Sequence, residues 1–501
     1  MPKPKFFLKE AKSKKKSAAQ QAPRTADECL AVGVEQEEAG EKWRAGDAAK
    51  SLRFFMRAIA TYDEGLQRHP NAFDLAYNKA RVQYEITQHP RLAAQLSTPL
   101  GEVLSVALQS HREALVLEQD NADALFNTAQ VLTSLAEAVT DTKRPMEEQL
   151  NQAAKFLQEA IELFQRCLVL QELKYTEMQE HIRQMESGEV QQPGPEQAPP
   201  QEMEEDANAG ELKESEQEQW AAVVEPVTKD TLVDTVIAQL EALATLCNLL
   251  TYDPGVGLNW VEECSTDLLQ RKLITYVEDS NRHYEAGLAR AKFNAALNEV
   301  LYRSGRTDIE TYHGAVVSSF GAGLDISADP EGLCAKADVL ISFNAATAEQ
   351  PPSRGPEAFG KSLGLRWQAL SAAVDALTKA SKLPDAENLP KIHLARGDTE
   401  MSRWRLGFSP WEHGMAQQYG PTLIRNAQTY YRGAAALARR DGSADEERDG
   451  MCKEAIAAAI EGQKEKLDQL KGTAPTELLA VAEDMVEDGW VSGPDMEVLL
   501  S

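Results

Sequence analysis

The chain has 501 residues, a formal net charge of −27, and 43% hydrophobic, 26% charged and only 6% aromatic residues. That balance suits a soluble chain with a real core, and so negative a field repels nucleic acid and anionic membranes while attracting basic proteins. Abundant alanine with few aromatics favours helices packed through small side chains, which argues against a sheet and predicts an all-α fold.

No run of about 18 apolar residues occurs, so no membrane span is expected, and the lysine-rich start lacks the apolar core of a secretory leader. The six cysteines (Cys29, Cys167, Cys247, Cys264, Cys334, Cys452) are scattered without a Cys-x-x-Cys pair, which points to a reducing compartment, cytoplasm or nucleus. Residues 1–26 read as a disordered basic tail. Residues 1–24 carry a net +7, which leaves −34 on the other 477. Within the tail, Lys12, Lys14, Lys15 and Lys16 resemble a short nuclear-localisation signal, with a solvated tail as the plain alternative.

Residues 27–185 show helical periodicity broken by Pro, Gly and Asn. A small residue, a bulky one four on and a small one three further recur as Ser51/Phe55/Ala58, Ala107/His111/Ala114 and Ala160/Phe164/Cys167. This spacing puts all three on one helix face, with small residues where a neighbouring helix must come close. A second pattern repeats as well: Asp74-Leu-Ala-Tyr-Asn78-Lys-Ala80 recurs nearly intact as Asp123-Ala-Leu-Phe-Asn127-Thr-Ala129.

Residues 186–219 contain 11 acidic residues, one lysine and four prolines, too little apolar surface to offset ordering entropy, so disorder is expected. The polyanion formed by Glu202, Glu204, Glu205, Asp206, Glu214 and Glu216 has three readings. It is an inert linker, a charge shield for a basic client, or a switch tuned by phosphorylation. Residues 220–472 resume the helical pattern after Trp220, with a second break expected at residues 348–360. Further triplets are Ala289/Phe293/Ala296, Ala373/Leu377/Ala380 and Ala427/Tyr431/Ala434, and a weaker third copy of the other pattern runs from Cys334 through Ala337 to Leu340. Residues 473–501 read as a capping helix and a tail holding Trp490, Val491, Leu499 and Leu500.

Together these motifs resemble the tetratricopeptide repeat family. Ala80 and Ala129 match its small A-helix position, Phe55, Phe164 and Tyr431 its B-helix aromatic, and Pro70 and Pro330 its closing turn. The departure is spacing: triplets lie 56, 53 and 54 residues apart, against the family's 34. The resemblance implies a right-handed α-solenoid of antiparallel helix pairs with elongated repeats, in which Asn78 and Asn127 point into a concave groove and hydrogen-bond a guest's backbone. An exposed helical asparagine is the alternative. Gln36 and Gly40 stand where family members that clamp a terminal carboxylate carry lysine and asparagine, so no such clamp is expected. Histone chaperones of this class also interrupt their repeats with an acidic segment.

Phosphate-binding loops, metal-binding Cys and His pairs and nucleophile elbows are all absent from the sequence. Gly255-Val-Gly257 and Gly321-Ala-Gly323 read as turns. The eight histidines are isolated, and nothing in the sequence brings His313, His393 and His413 together. The expected protein is therefore non-enzymatic, without cofactor, metal or small-molecule substrate. It is a chaperone or adaptor holding a basic client, a ribosomal protein or histone, in an acidic groove. The alternative is a scaffold subunit of a larger complex.

Overall fold

A computed structural model describes residues 23–142, 145–186, 226–253, 255, 257–278, 280–321, 323–352 and 355–501. In chain order the helices are α1 Ala26–Arg44, α2 Ala48–Arg68, α3 Phe73–Gln88, α4 Pro90–Ala93, α5 Leu100–Leu117, α6 Ala122–Thr140 and α7 Glu147–Glu186. There follow α8 Lys229–Leu250, α9 Gly257–Asp267, α10 Leu273–Val277, α11 His283–Arg303, α12 Ile309–Ser319 and α13 Pro330–Glu349. The last are α14 Gly355–Ala380, α15 Leu389–Arg405, α16 Gly414–Asp441, α17 Ala444–Ile460, α18 Glu465–Thr473, α19 Pro475–Glu487 and α20 Gly493–Leu500. A short π-helical turn, Leu268–Lys272, leads into α10, and no strand occurs among the described residues.

Local sequence fixes many of the helix starts. Thr25 and Glu28 form a reciprocal capping box at α1. Asp47, Asn121, Asp308, Asp329 and Ser492 accept backbone N–H bonds at the starts of α2, α6, α12, α13 and α20. Proline pre-sets the first turn of α13, α15, α19 and α20, where its missing N–H costs nothing.

Two compact units arise, residues 1–239 with 271–282, and residues 240–270 with 283–501. The division falls inside α8, so residues 226–239, which follow the acidic stretch, belong to the first unit. Thr235 there donates to Gln171 at 2.8 Å, and Arg282 reaches Asp234 at 2.6 Å. α8 is long and apolar enough to cross a membrane by composition. Leu232, Val233, Val236, Leu240, Leu243 and Leu246 are nevertheless buried within the protein, the behaviour of a core helix.

Where side-chain contacts fix the order, neighbouring long helices pack antiparallel and alternate ones run parallel. In the second unit, Asp398 meets Tyr431 and Glu400 meets Asn426, so numbering rises along α15 as it falls along α16. The same crossing order pairs Gln428, Arg432 and Arg439 of α16 with Ala457, Glu454 and Glu447 of α17. By contrast, α1 and α3 share a direction, with Glu37 bonding Arg81 and Arg44 bonding Glu85. So do α3 and α6, through Tyr77–Asn127 and Tyr84–Ser134, and α11 and α13, through Glu299–Ser342 and Arg303–Glu349. This alternation is the geometry of stacked helix pairs. The fold is all-α, a helical-repeat architecture.

The triplets sit on the pair seams. Those on α2, α5, α7, α14 and α16 are at most 1% exposed at every position. Each buried Phe or Leu among them contributes about 2 kcal/mol through apolar burial. Gly40 lies directly against the Phe55 ring, showing how close the helices approach. The sixth triplet departs from this scheme: α11 is a first helix, parallel to α13, and its Ala296 is only half-buried.

Three boundaries differ from expectation. Helix α1 begins inside the stretch read as a disordered tail, because Thr25 caps it and the carbonyls of Pro23 and Arg24 bond Arg68 and His69 of the next helix. The break expected at residues 348–360 is shorter: α13 runs on to Glu349, and α14 already starts at Gly355, where Pro356 suits a first turn. The C-terminal tail is instead a further helix: Trp490, Val491 and Met496 are buried with Leu478, Val481 and Met485 in one core that includes Tyr431 and Ile456.

Candidate protein-binding face

In the first unit the helices α1, α3 and α6 form a row. Asp27, Asp74 and Asp123 occupy the first turn of each, all three exposed. A carboxylate is favoured there by the helix dipole. The charges also sense one another: partial burial raises the Asp74 carboxyl above its ordinary value, and Glu118 and Asp27 raise it further. Burial likewise raises the Tyr77 phenol, with Asp123 adding to the rise.

One turn further along lie the two asparagines singled out from the sequence. Asn78 is half-buried. Its amide donates to the Asp74 carbonyl at 2.8 Å, and its oxygen accepts from Arg81 at 3.3 and 3.4 Å. Asn127 is also half-buried and donates to the Tyr77 hydroxyl at 2.7 Å. The two are equivalent in register but not in chemistry, because Asn78 is engaged by its own helix and Asn127 by its neighbour.

Deeper in the row, Glu37 accepts from Tyr62 and Arg81, Arg81 also reaches Glu85, and Glu85 is paired with Arg44 at 3.0 Å. Burial raises the Glu37 carboxyl despite the opposing Arg81 charge. The face is therefore zoned, acidic along the helix starts and charge-paired through its middle. The sequence predicted an acidic groove; it could not reveal that Arg44 and Arg81 would lie among the carboxylates. Gln36, at the position examined for a clamp, accepts from Thr61 at 3.1 Å, while Gly40 serves packing.

The other chemically reactive side chains sit in packed surroundings. His111 is fully buried in the α5 seam, and burial pulls its pKa down to about 4. His313, His393 and His413 each lie against a different ring: His313 is tilted on Phe343, His393 is edge-on to Tyr430, and His413 is stacked on Trp367. Burial pushes the Cys167 and Cys247 thiols up to about 12, away from the reactive thiolate. Among the described residues no group of three His, Cys, Asp or Glu side chains could hold a metal ion. Lys12, Lys14, Lys15 and Lys16, the insert carboxylates Glu202, Glu204, Glu205, Asp206, Glu214 and Glu216, and Trp220 lie outside the described residues. Sequence reasoning dwelt on Asn78 and Asn127 and passed over the aspartates, although Asp74 and Asp123 open the very repeat that was noticed.

No family model matches the chain. UPF0656 protein C926.02 of Schizosaccharomyces pombe is 26% identical over 431 residues, covering 84% of this chain and 86% of that protein. Among solved structures, a circular tandem repeat protein with novel repeat topology and enhanced subunit contact surfaces aligns with 93% of this chain and 99% of its own. The identity is 12% and the TM-score 0.29, too low to equate the two arrangements.

Proposed function

We propose that this chain is a non-enzymatic chaperone or adaptor that holds a basic protein segment along the α1–α3–α6 face. The observation that carries the reading is the row of Asp27, Asp74 and Asp123, set at matching turns of three parallel helices on a chain of net charge −27. Helical-repeat stacks serve protein interaction by presenting such repeated faces. Carboxylates at regular intervals suit a lysine- and arginine-rich guest, steering its approach and fixing its register. Asn127, next to the row, offers its amide oxygen to an extended backbone. Histones and ribosomal proteins are the client classes with the matching charge, and cytoplasm or nucleus is the matching location. The repeat chemistry supports membership of the tetratricopeptide class, with lengthened repeats. The acidic stretch of residues 186–219 supplies further charge to the same client.

Isothermal titration of the full chain with purified core histones, and separately with an isolated ribosomal protein, tests this reading across a salt series. Binding should weaken steeply with salt, and the Asp27→Asn/Asp74→Asn/Asp123→Asn variant should bind about tenfold more weakly. Deleting residues 187–219 should weaken binding again while leaving the helical circular dichroism unchanged. Absence of binding to either client, or affinity indifferent to both salt and the triple substitution, would discard the proposal.

A further inference from the structure

Several acids on the surface of the first unit have a cation against them. Asp63 pairs with Lys79 and Glu159 with Arg112, both at 2.7 Å, and Asp120 pairs with Arg166 at 2.5 Å. Asp27 and Asp74 of the acidic row are different. Both are exposed, and no lysine or arginine among the described residues bonds either one. The chain itself carries cations that could meet them. Residues 1–22 contain seven lysines and a single acid, Glu10.

Residues 1–22 lie outside the described residues, but the point where they join the body is fixed. The Pro23 carbonyl accepts from Arg68, and the Arg24 carbonyl meets the His69 ring at 3.0 Å. Arg68 and His69 end α2 just before α3 begins at Phe73. The basic segment therefore leaves the body over the α2–α3 corner, beside the helix starts that carry Asp27 and Asp74. Lys16 stands seven residues before Pro23, which is about 24 Å of extended chain. α3 touches α1 through Glu37–Arg81 and α6 through Tyr77–Asn127, so the three starts span two helix spacings, about 20 Å. The whole row is within reach of the lysines.

We propose that residues 1–22 dock along the α1–α3–α6 row of their own chain, with Lys12, Lys14, Lys15 and Lys16 against Asp27, Asp74 and Asp123, and hold the face until a basic client displaces them. This rests on the reading of that face as the client's seat and adds its regulation. Tethering at Pro23 makes the contact intramolecular, so a weak attraction is enough to keep the row covered. Exposed ion pairs are individually weak and screened by salt, so a guest with more charge still takes the lysines' place. A weakly basic protein does not, and the tail thereby raises the threshold for binding.

The test begins without a client. Zero-length carbodiimide cross-linking of the full chain, read by mass spectrometry, should join the four lysines to Asp27, Asp74 and Asp123 within single chains. These links should outnumber those to Glu64 and Glu113, which are equally exposed on α2 and α5, and should fade at high salt. In a parallel titration, the Lys12→Gln/Lys14→Gln/Lys15→Gln/Lys16→Gln variant should bind core histones about tenfold more tightly than the unaltered chain. Links spread evenly over Glu64 and Glu113, confined to residues 202–218, or found only between two chains would overturn the docked tail. So would a histone affinity unchanged in the variant. If histones bind neither form while the links to the row persist, the client reading fails and the docked tail stands.

Discussion

The two units solve the same packing problem with the same parts and differ in how they finish it. In each, a glycine of a first helix admits a tyrosine from the second: Gly33 receives Tyr62, and Gly397 receives Tyr431, so closely that a methyl group at either glycine would overlap the ring. Each tyrosine hydroxyl donates to an acid of the first helix, Glu37 or Asp398, and the next first helix sends a cation to that acid, Arg81 or Lys453. In the first unit the cation is shared. Arg81 also touches Glu85 and Asn78, and Glu85 is held by Arg44. In the second unit Lys453 gives both its contacts, 2.9 and 3.1 Å, to Asp398 and otherwise lies near the rings of Tyr431 and Trp490. One is a network with spare partners, the other a closed set without them. The contrast teaches that a buried charge is tolerated either by redundancy or by exclusive pairing, and the two should fail differently.

Removing the cation breaks the comparison most sharply. Lys453→Met should cost about 3 kcal/mol, because the half-buried Asp398 would keep only the Tyr431 hydroxyl. Arg81→Met should cost about half as much, since Glu37 keeps Tyr62 and Glu85 keeps Arg44. Amide hydrogen exchange, read separately over α1–α3 and α15–α17, measures both. Equal losses would show that the spare partners contribute nothing.

A titration sharpens the contrast next. His111 occupies in α5 the bulky seam position that Tyr431 fills in α16, so only the first unit carries a seam group that protonates in mild acid. Its folded pKa is about 4, below the ordinary 6.5. The unfolded chain thus takes up a proton first, and the stability His111 contributes is present above pH 6.5 and is lost as pH falls toward 4. The loss amounts to about 3 kcal/mol. His111→Leu should remove that part of the acid sensitivity, seen as a flatter pH profile of exchange protection in α5 and α6. An unchanged profile would assign the acid response elsewhere.

Much of this was legible in the sequence. The triplets named the seams because apolar spacing survives any change of repeat length, and they placed Phe55, Phe164 and Tyr431 in the core. Repeat spacing also pointed to stacked helix pairs. What stayed hidden was every polar interaction linking residues 25 to 55 positions apart: nothing local tells that Asp398 waits for Lys453. Gly33 and Gly397 were the available signal, since a glycine inside a strong helical pattern marks a close approach. The C-terminal helix was missed because residues 488–492, with Gly489 at positive φ, read as the start of a tail rather than a tight corner. Of the candidate binding residues, Asn78 and Asn127 were found through repetition. The aspartates beside them were overlooked because an exposed charge on a helix is ordinarily mere solubility.

The glycines themselves give the third contrast. Gly33→Ala and Gly397→Ala should each cost about 2 kcal/mol through overpacking, reduced by whatever the alanine gains in helix propensity. Thermal melting combined with exchange should locate each loss in its own unit. If either substitution stabilises the protein, the ring has room to move and the seam is looser than its geometry indicates.

Tyrosine to phenylalanine is the smallest change and the most selective. It keeps the ring against the glycine and deletes only the hydroxyl, so the difference reads the hydrogen bond to the acid. Tyr431→Phe should cost about 1.5 kcal/mol, because Asp398 would then depend on Lys453 alone. Tyr62→Phe should cost about 0.5 kcal/mol. Burial already holds the Glu37 carboxyl above its ordinary value, so losing one donor is partly relieved by protonation, and Arg81 remains to take up the rest. The two losses should also respond differently to pH. That of Tyr62→Phe should shrink in mild acid as Glu37 takes its proton, whereas that of Tyr431→Phe should hold while Lys453 keeps its charge. A Tyr62→Phe loss that matches Tyr431→Phe at every pH would mean that the hydroxyl, not the surrounding charge network, sets the stability of both seams.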